Sequence, residues 1–276
     1  MRSQKMTSYS SNLVKKTKDL KLKDDQFINI LLLGETGVGK STFINSLANY
    51  LTYSDFKKAE KETLVILIPS KCEVKDKHDE YHIINIGSEE DQNECLDTGM
   101  SATQDVKSYV FPISNGNIKV RLIDTPGIGD VRGVAQDNIN CENILDYIGQ
   151  LHELHAICYL FKPTNPRITV YFDYCMTQIL SRLDKSASKN IIFIFTNTRG
   201  TDYSPGDTFP SLQKVIDGIK AKPPHVDIPL SRKNVFCFDN EAFRYLAAIQ
   251  KGVAFDGPTK QRNHESWKRS VQQCLR

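Results

Sequence analysis

The stretch "FINILLLGETGVGKS", residues 27–41, constrains the fold more than any other. A short, mostly apolar run of the kind that forms buried parallel strands stops at a glycine. Phe43, Ile44, Leu47 and Leu51 then recur at helical spacing. Strand, glycine loop and helix in that order place a helix N-terminus at the end of a strand. Gly34, Glu35, Thr36, Gly37, Val38, Gly39, Lys40 and Ser41 fit the pattern G-x-x-x-x-G-K-[ST] without a gap. Glycines let backbone N–H groups turn inward towards phosphate oxygens, and a helix starting at Lys40 points its positive end at the same anion. Lys40 is then placed to reach β- and γ-phosphates, and Ser41 to offer a hydroxyl to Mg²⁺, with Thr42 next in the cradle. An ordinary glycine turn explains neither the lysine nor the serine.

A second element, "RLIDTPGIGD", ends a strand in Asp124 and follows it with Thr125, Pro126 and Gly127. A carboxylate at such a strand end holds Mg²⁺, and the N–H of Gly127 is expected on the γ-phosphate. A hydroxyl that closes on the metal when triphosphate is present belongs between the two elements. Thr98, Ser101 and Thr103 are the candidates in "GSEEDQNECLDTGMSATQD", and Thr103 is preferred because it directly precedes the strand "SYVF".

The rest of the chain reads as alternating strands and helices. "LVILI" (64–68) and "YHIINI" (81–86) are expected as a strand pair, and "SYVFPI" and "KVRLID" as a hairpin turned at Asn115-Gly116. "ICYLF", "NIIFIF" and "VFCF" read as further strands, with helices over "ENILDYIGQLHELHA", "YFDYCMTQILSRLD", 210–221 and "EAFRYLAAIQ". That alternation implies a three-layer α/β domain with a mostly parallel central sheet. Residues 1–25 are expected as a polar leader, 26–252 as the domain, and 253–276 as a peripheral segment. With 276 residues, 39% of them hydrophobic and 25% charged, a sizeable core is available. A net charge of +3 gives no footing for nucleic acid, and no apolar run approaches the roughly 20 residues that span a bilayer. Seven scattered cysteines fit a reduced, cytoplasmic setting. The six histidines show no metal-ligand spacing.

"GETGVGKSTFINSL" followed by "LIDTPGIGD" resembles the septin and AIG1/GIMAP/Toc branch of the P-loop GTPases. "SATQDV" resembles the switch signature of AIG1-type proteins, and "VFCFDNEAF" their guanine-side loop. The resemblance covers residues 27 to 250. It implies a six-stranded sheet, bound GTP or GDP with Mg²⁺, and homodimers or oligomers formed across the nucleotide face. It also implies membrane association in some members, although no anchor is visible here. Ile128 stands where Ras-like proteins carry the glutamine that orients the attacking water, so the resemblance implies slow hydrolysis. Lys40, Thr103 and Gly127 are the expected catalytic groups, and Arg132 is a candidate for positive charge supplied across a dimer.

The base-binding end departs from the family. In place of [NT]-K-x-D the chain has Thr196, Asn197, Thr198 and Arg199. Arginine has no acceptor for the donors of guanine; it can stack on the ring or donate to its O6. Asp202 is a possible substitute carboxylate, and Phe238 and Asn240 are expected to bracket the base. Three readings stay open: a slow GTPase, a nucleotide-stabilised scaffold without turnover, and an ATP-binding member of the same fold.

Overall fold

The computed structural model describes residues 27–87, 103, 105–113, 118–128, 133–223 and 225–276. The leader, Thr98, Ser101, Arg132 and the Asn115-Gly116 turn lie outside them. Strand β1 (Phe27–Gly34) is followed by helix α1 (Lys40–Thr52) and the short α2 (Phe56–Lys61). Strands β2 (Ser70–Lys75) and β3 (Tyr81–Ile86) form a separate antiparallel pair. Then come β4 (Lys107–Ile113), β5 (Ile118–Asp124), α3 (Val134–Gly149), β6 (Ala156–Phe161), α4 (Val170–Arg182) and β7 (Ile191–Phe195). Helix α5 (Thr208–Ala221), β8 (Val235–Cys237), α6 (Glu241–Gln250) and α7 (Gly257–Cys274) complete the chain.

The main sheet has six strands in the order β4-β5-β1-β6-β7-β8. Only β4 is antiparallel to its neighbour, with Ile113 opposite Ile118 at the closed end of the hairpin. The expected three-layer α/β architecture is therefore the one observed. Alternate residues of β1 point to opposite faces. Leu32 joins the core under α1, α6 and α7, while Leu31 and Leu33 join the core under α3, α4 and α5. With helices on both faces, β6 is buried along its whole length, which is why its sequence is an unbroken apolar run.

Two expectations fail, each for a polar reason. Residues 64–68 are apolar but form no strand; β3 pairs instead with Ser70–Lys75. Two asparagines of α1 take the place of a partner strand. The side chain of Asn49 accepts from Val65 N (2.9 Å) and donates to Val65 O (2.7 Å). Asn45 accepts from Leu67 N and Ile68 N and donates to Ile68 O at 2.8 Å. The backbone of this buried segment is thus satisfied without a ladder.

The segment 253–276 is not peripheral. Helix α7, N-capped by Asp256, buries Asn263, Ser266, Trp267, Ser270 and Val271 along one face. Trp267 is fully buried and lies edge-on to Tyr50, with ring centroids 4.8 Å apart. Three of the five residues on that face are polar, so a hydrophobic reading of the sequence passes over it.

Candidate functional site

The glycine loop takes its shape from its backbone. Gly37 (φ 77°) and Gly39 (φ 91°) adopt left-handed backbone that only glycine takes without strain. Lys40, 7% exposed, folds back so that Nζ donates to Gly34 O (3.1 Å) and Glu35 O (3.4 Å). The hydroxyl of Thr36 is buried and has no hydrogen-bond partner among the described residues. Glu35 turns outward, and its carboxylate accepts from Asn165 Nδ2 and Thr169 N, both at 3.2 Å. The loop is thereby tied to the segment between β6 and α4.

The second element lies against the first. Thr36 N donates to Ile128 O (3.0 Å) and Ile128 N donates to Gly34 O (3.1 Å). A Cβ at Gly127 would sit 2.7 Å from Thr36 Cα and 2.8 Å from its N, so only glycine fits there. Asp124 is fully buried. Its carboxylate accepts from Thr103 Oγ1 (3.1 Å) and from Thr125 N (3.0 Å). Burial raises its pKa to about 6, against the opposing pull of Lys40, Thr103 and Thr125. Thr103 and Asp124, far apart in sequence, are thus brought together, and their hard oxygen atoms match the chemistry of Mg²⁺ ligands. Ser41 is the second residue of α1, directly after Lys40.

The raised carboxyl has a consequence for stability. Between the unfolded pKa near 3.9 and about 6, the folded state holds a proton that the unfolded state has released. Stability therefore falls as pH rises through that window, by on the order of 2–3 kcal/mol in all. Asp124→Asn still accepts from Thr125 N, turns the Thr103 contact round so that the amide donates to the hydroxyl, and removes the buried charge. In metal-free solution at pH 7.5 the variant is expected to be more stable than wild type by on the order of 1–3 kcal/mol. The gap should close as pH drops from 6 to 4. Urea denaturation across that range checks it, and a gap independent of pH would contradict the assignment.

At the base end, the structure shows protein partners for most of the expected residues. Thr196 is fully buried, and its hydroxyl donates to Val38 O (2.6 Å), fastening the glycine loop to the end of β7. It positions the loop and is not free for a base. Phe238 belongs to the core, edge-on to Phe43 at 5.2 Å. Asp202 is an exposed surface residue 3.9 Å from Arg269.

Arg199 turns away from the site. Its Nε lies 3.1 Å from Oδ2 of the fully buried Asp239, and Nη2 donates to Asn263 Oδ1 of α7 (2.9 Å). Burial raises the pKa of Asp239, and the guanidinium opposes the rise. Asp239 is also a hub: its carbonyl accepts from Tyr50, Ser266 and Ser270, and Oδ1 accepts from Glu241 N. A buried carboxylate close by draws the guanidinium towards Asp239 and Asn263. Arg199→Met is expected to destabilise the fold by about 2–3 kcal/mol, less than a fully buried pair because the guanidinium is partly exposed. Asp239→Asn in the same chain should recover most of that loss, and nucleotide affinity should change less than about threefold, readable by melting and calorimetry.

Asn197 and Asn240 do line a cleft, of about 230 Å³, that opens from Gly39 and Thr42. Its other walls are Glu241 and Arg244 from the start of α6, and Ser70, Lys71 and Cys72 from β2. None of these five was singled out in the sequence. Glu241 was within reach, being a carboxylate directly after "FDN", but nothing in the motif pattern marks β2. At the far end of the β2–β3 pair, His82 lies by Asp76 and Glu80. Asp76 is already engaged there, with Oδ1 on the N–H groups of His78 and Glu80 and Oδ2 2.9 Å from His82 Nε2. Among the described residues no helix is long and apolar enough to cross a membrane.

A family model described as 50S ribosome-binding GTPase matches residues 29–197. No curated protein matches the chain. Solved structures similar to it include Toc33 from Arabidopsis thaliana in complex with GDP and Mg²⁺. That structure is 14% identical, with a TM-score of 0.46, over 86% of this chain and 77% of the other. Toc33 with Mg²⁺ and GMPPNP is 15% identical, with a TM-score of 0.46, over 83% and 78%. A dimerization-deficient mutant of Toc33 is 16% identical, with a TM-score of 0.47, over 84% and 79%.

Proposed function

The chain belongs to the P-loop GTPase family described as 50S ribosome-binding GTPase, and from that premise we propose that it binds guanine nucleotide with Mg²⁺ and hydrolyses GTP slowly. The observation that carries the reading is the pairing of the left-handed glycine loop with the Thr103–Asp124 contact of 3.1 Å. Backbone N–H groups and Lys40 would hold the phosphates, and Gly127 would offer its N–H to the terminal one. Ser41, Thr103 and the ionised Asp124 would hold Mg²⁺, which when bound supplies positive charge to the phosphate oxygens.

Slow turnover follows from position 128. The Ile128 side chain is buried, 3% exposed, and has no group to orient water. Its backbone N–H and C=O are engaged with Gly34 and Thr36. A group from a second copy, meeting the first across the nucleotide face, would supply what Ile128 lacks. That arrangement makes the rate per molecule rise with protein concentration. The same buried Ile128 favours a second reading, a scaffold that binds GTP without turning it over.

Calorimetry on nucleotide-stripped protein tests the proposal. GTP and GDP should bind in the presence of Mg²⁺, and EDTA should weaken GTP binding more than GDP binding. Phosphate release assayed over a range of protein concentrations separates the two readings, since a scaffold releases none at any concentration. Absence of any nucleotide binding would remove both.

A further inference from the structure

We propose that Glu241, at the start of α6, is the carboxylate that reads the purine edge, in place of the aspartate that Arg199 has displaced. The inference rests on the guanine-nucleotide reading above and names the residue that gives it specificity. Arg199 is committed to Asp239 and Asn263, and the β7-loop residue that lines the cleft, Asn197, carries an amide and not a carboxylate. The cleft that opens from Gly39 contains another carboxylate, Glu241, beside Asn197 and Asn240.

Glu241 is held rather than loose. Arg244 Nη1 donates to Glu241 Oε1 at 2.6 Å, and Arg244 Nη2 reaches across the cleft to Glu73 O of β2 at 3.2 Å. The guanidinium therefore engages one carboxylate oxygen and leaves Oε2 without a hydrogen bond among the described residues. Glu241 N is in turn fixed by Asp239 Oδ1 (2.9 Å), which sets where the side chain leaves the helix. Beside it Asn240, 3% exposed, has an Oδ1 with no hydrogen-bond partner among the described residues. A buried acceptor without a donor is costly unless something supplies one, and a ligand bearing N–H groups does.

The chemistry selects the base. The edge of guanine presents N1–H and the 2-amino group side by side, two donors for a carboxylate. Adenine presents an acceptor, N1, at the corresponding place, and that atom repels a carboxylate. Inosine triphosphate keeps N1–H and O6 and lacks only the 2-amino group, so it isolates the contact. A site built to pair with a polar group discriminates strongly against the analogue that lacks it.

The experiment is calorimetric titration of the full chain with GTP, inosine triphosphate and ATP in Mg²⁺, for wild type, Glu241→Ala and Glu241→Gln. Wild type is expected to bind GTP at least tenfold more tightly than inosine triphosphate. Both variants should reduce that ratio to below about threefold, weakening inosine triphosphate as well but less than GTP, and a melting curve matching wild type shows that the fold is intact. A variant that keeps the full ratio overturns the role of Glu241 and leaves the guanine-nucleotide reading standing. Equal or tighter binding of ATP by wild type overturns the inference as well, while the phosphate site survives. If wild type binds none of the three, the guanine-nucleotide reading itself falls, and this inference with it.

Discussion

Lys40→Ala is expected to lose at least a hundredfold in affinity for nucleoside triphosphate while the chain remains folded. A hundredfold corresponds to about 2.7 kcal/mol, the scale of losing charge-assisted hydrogen bonds to phosphate. The ammonium is already in place, held by the carbonyls of Gly34 and Glu35 in a nearly closed environment. Little ordering remains for the ligand to impose on it. The variant frees two carbonyl acceptors, a stability cost of about 1 kcal/mol. Helix α1 stays anchored by Phe43, Ile44 and Ala48 in the core. Calorimetry paired with a melting curve separates the two effects, and unchanged affinity in a folded variant would refute the phosphate site.

Trp267→Ala is expected to destabilise the protein by about 3–5 kcal/mol, the range for truncating a large buried aromatic. Trp267 meets Tyr50 edge-on and lies 6.0 Å from Phe56, and its Nε1 donates to Tyr53 O at 3.2 Å. The substitution therefore opens a cavity and leaves a carbonyl without its donor. Chemical denaturation measures the loss. A change below about 1 kcal/mol would mean that α7 is an accessory to the domain, as its polar sequence suggests, and that the domain ends before it.

Much of the architecture was legible because its signals are local. The glycine loop, the strand ending at Asp124 and the apolar runs of β1, β6 and β7 each carry their meaning within a few residues. Residues 64–68 were misread because hydrophobicity reports burial and not the partner of the backbone. Asn45 and Asn49, the side chains that satisfy that backbone, lie twenty residues upstream and look like an ordinary polar helix face. Helix α7 escaped because Ser266 and Ser270 are buried by hydrogen bonds to one carbonyl, a reason that no sequence pattern records. Position within a motif did not reveal the ion pair that Arg199 makes. Direction is set by Asp239, forty residues later, which the motif does not include.

The grip of Asn45 and Asn49 on residues 65–68 also bears on how the chain tolerates change. Both asparagines hold backbone atoms, so the identities of Val65, Leu67 and Ile68 enter only through their apolar packing. Conservative exchanges there should pass with little effect, whereas a proline at 65, 67 or 68 removes an N–H that an asparagine needs. The next residues begin β2, which walls the cleft, and the same helix begins at the phosphate loop. Helix, held segment and wall are thereby coupled through a handful of amide contacts. A library that varies the wall to retune base preference can leave that hinge untouched and keep the cradle in register.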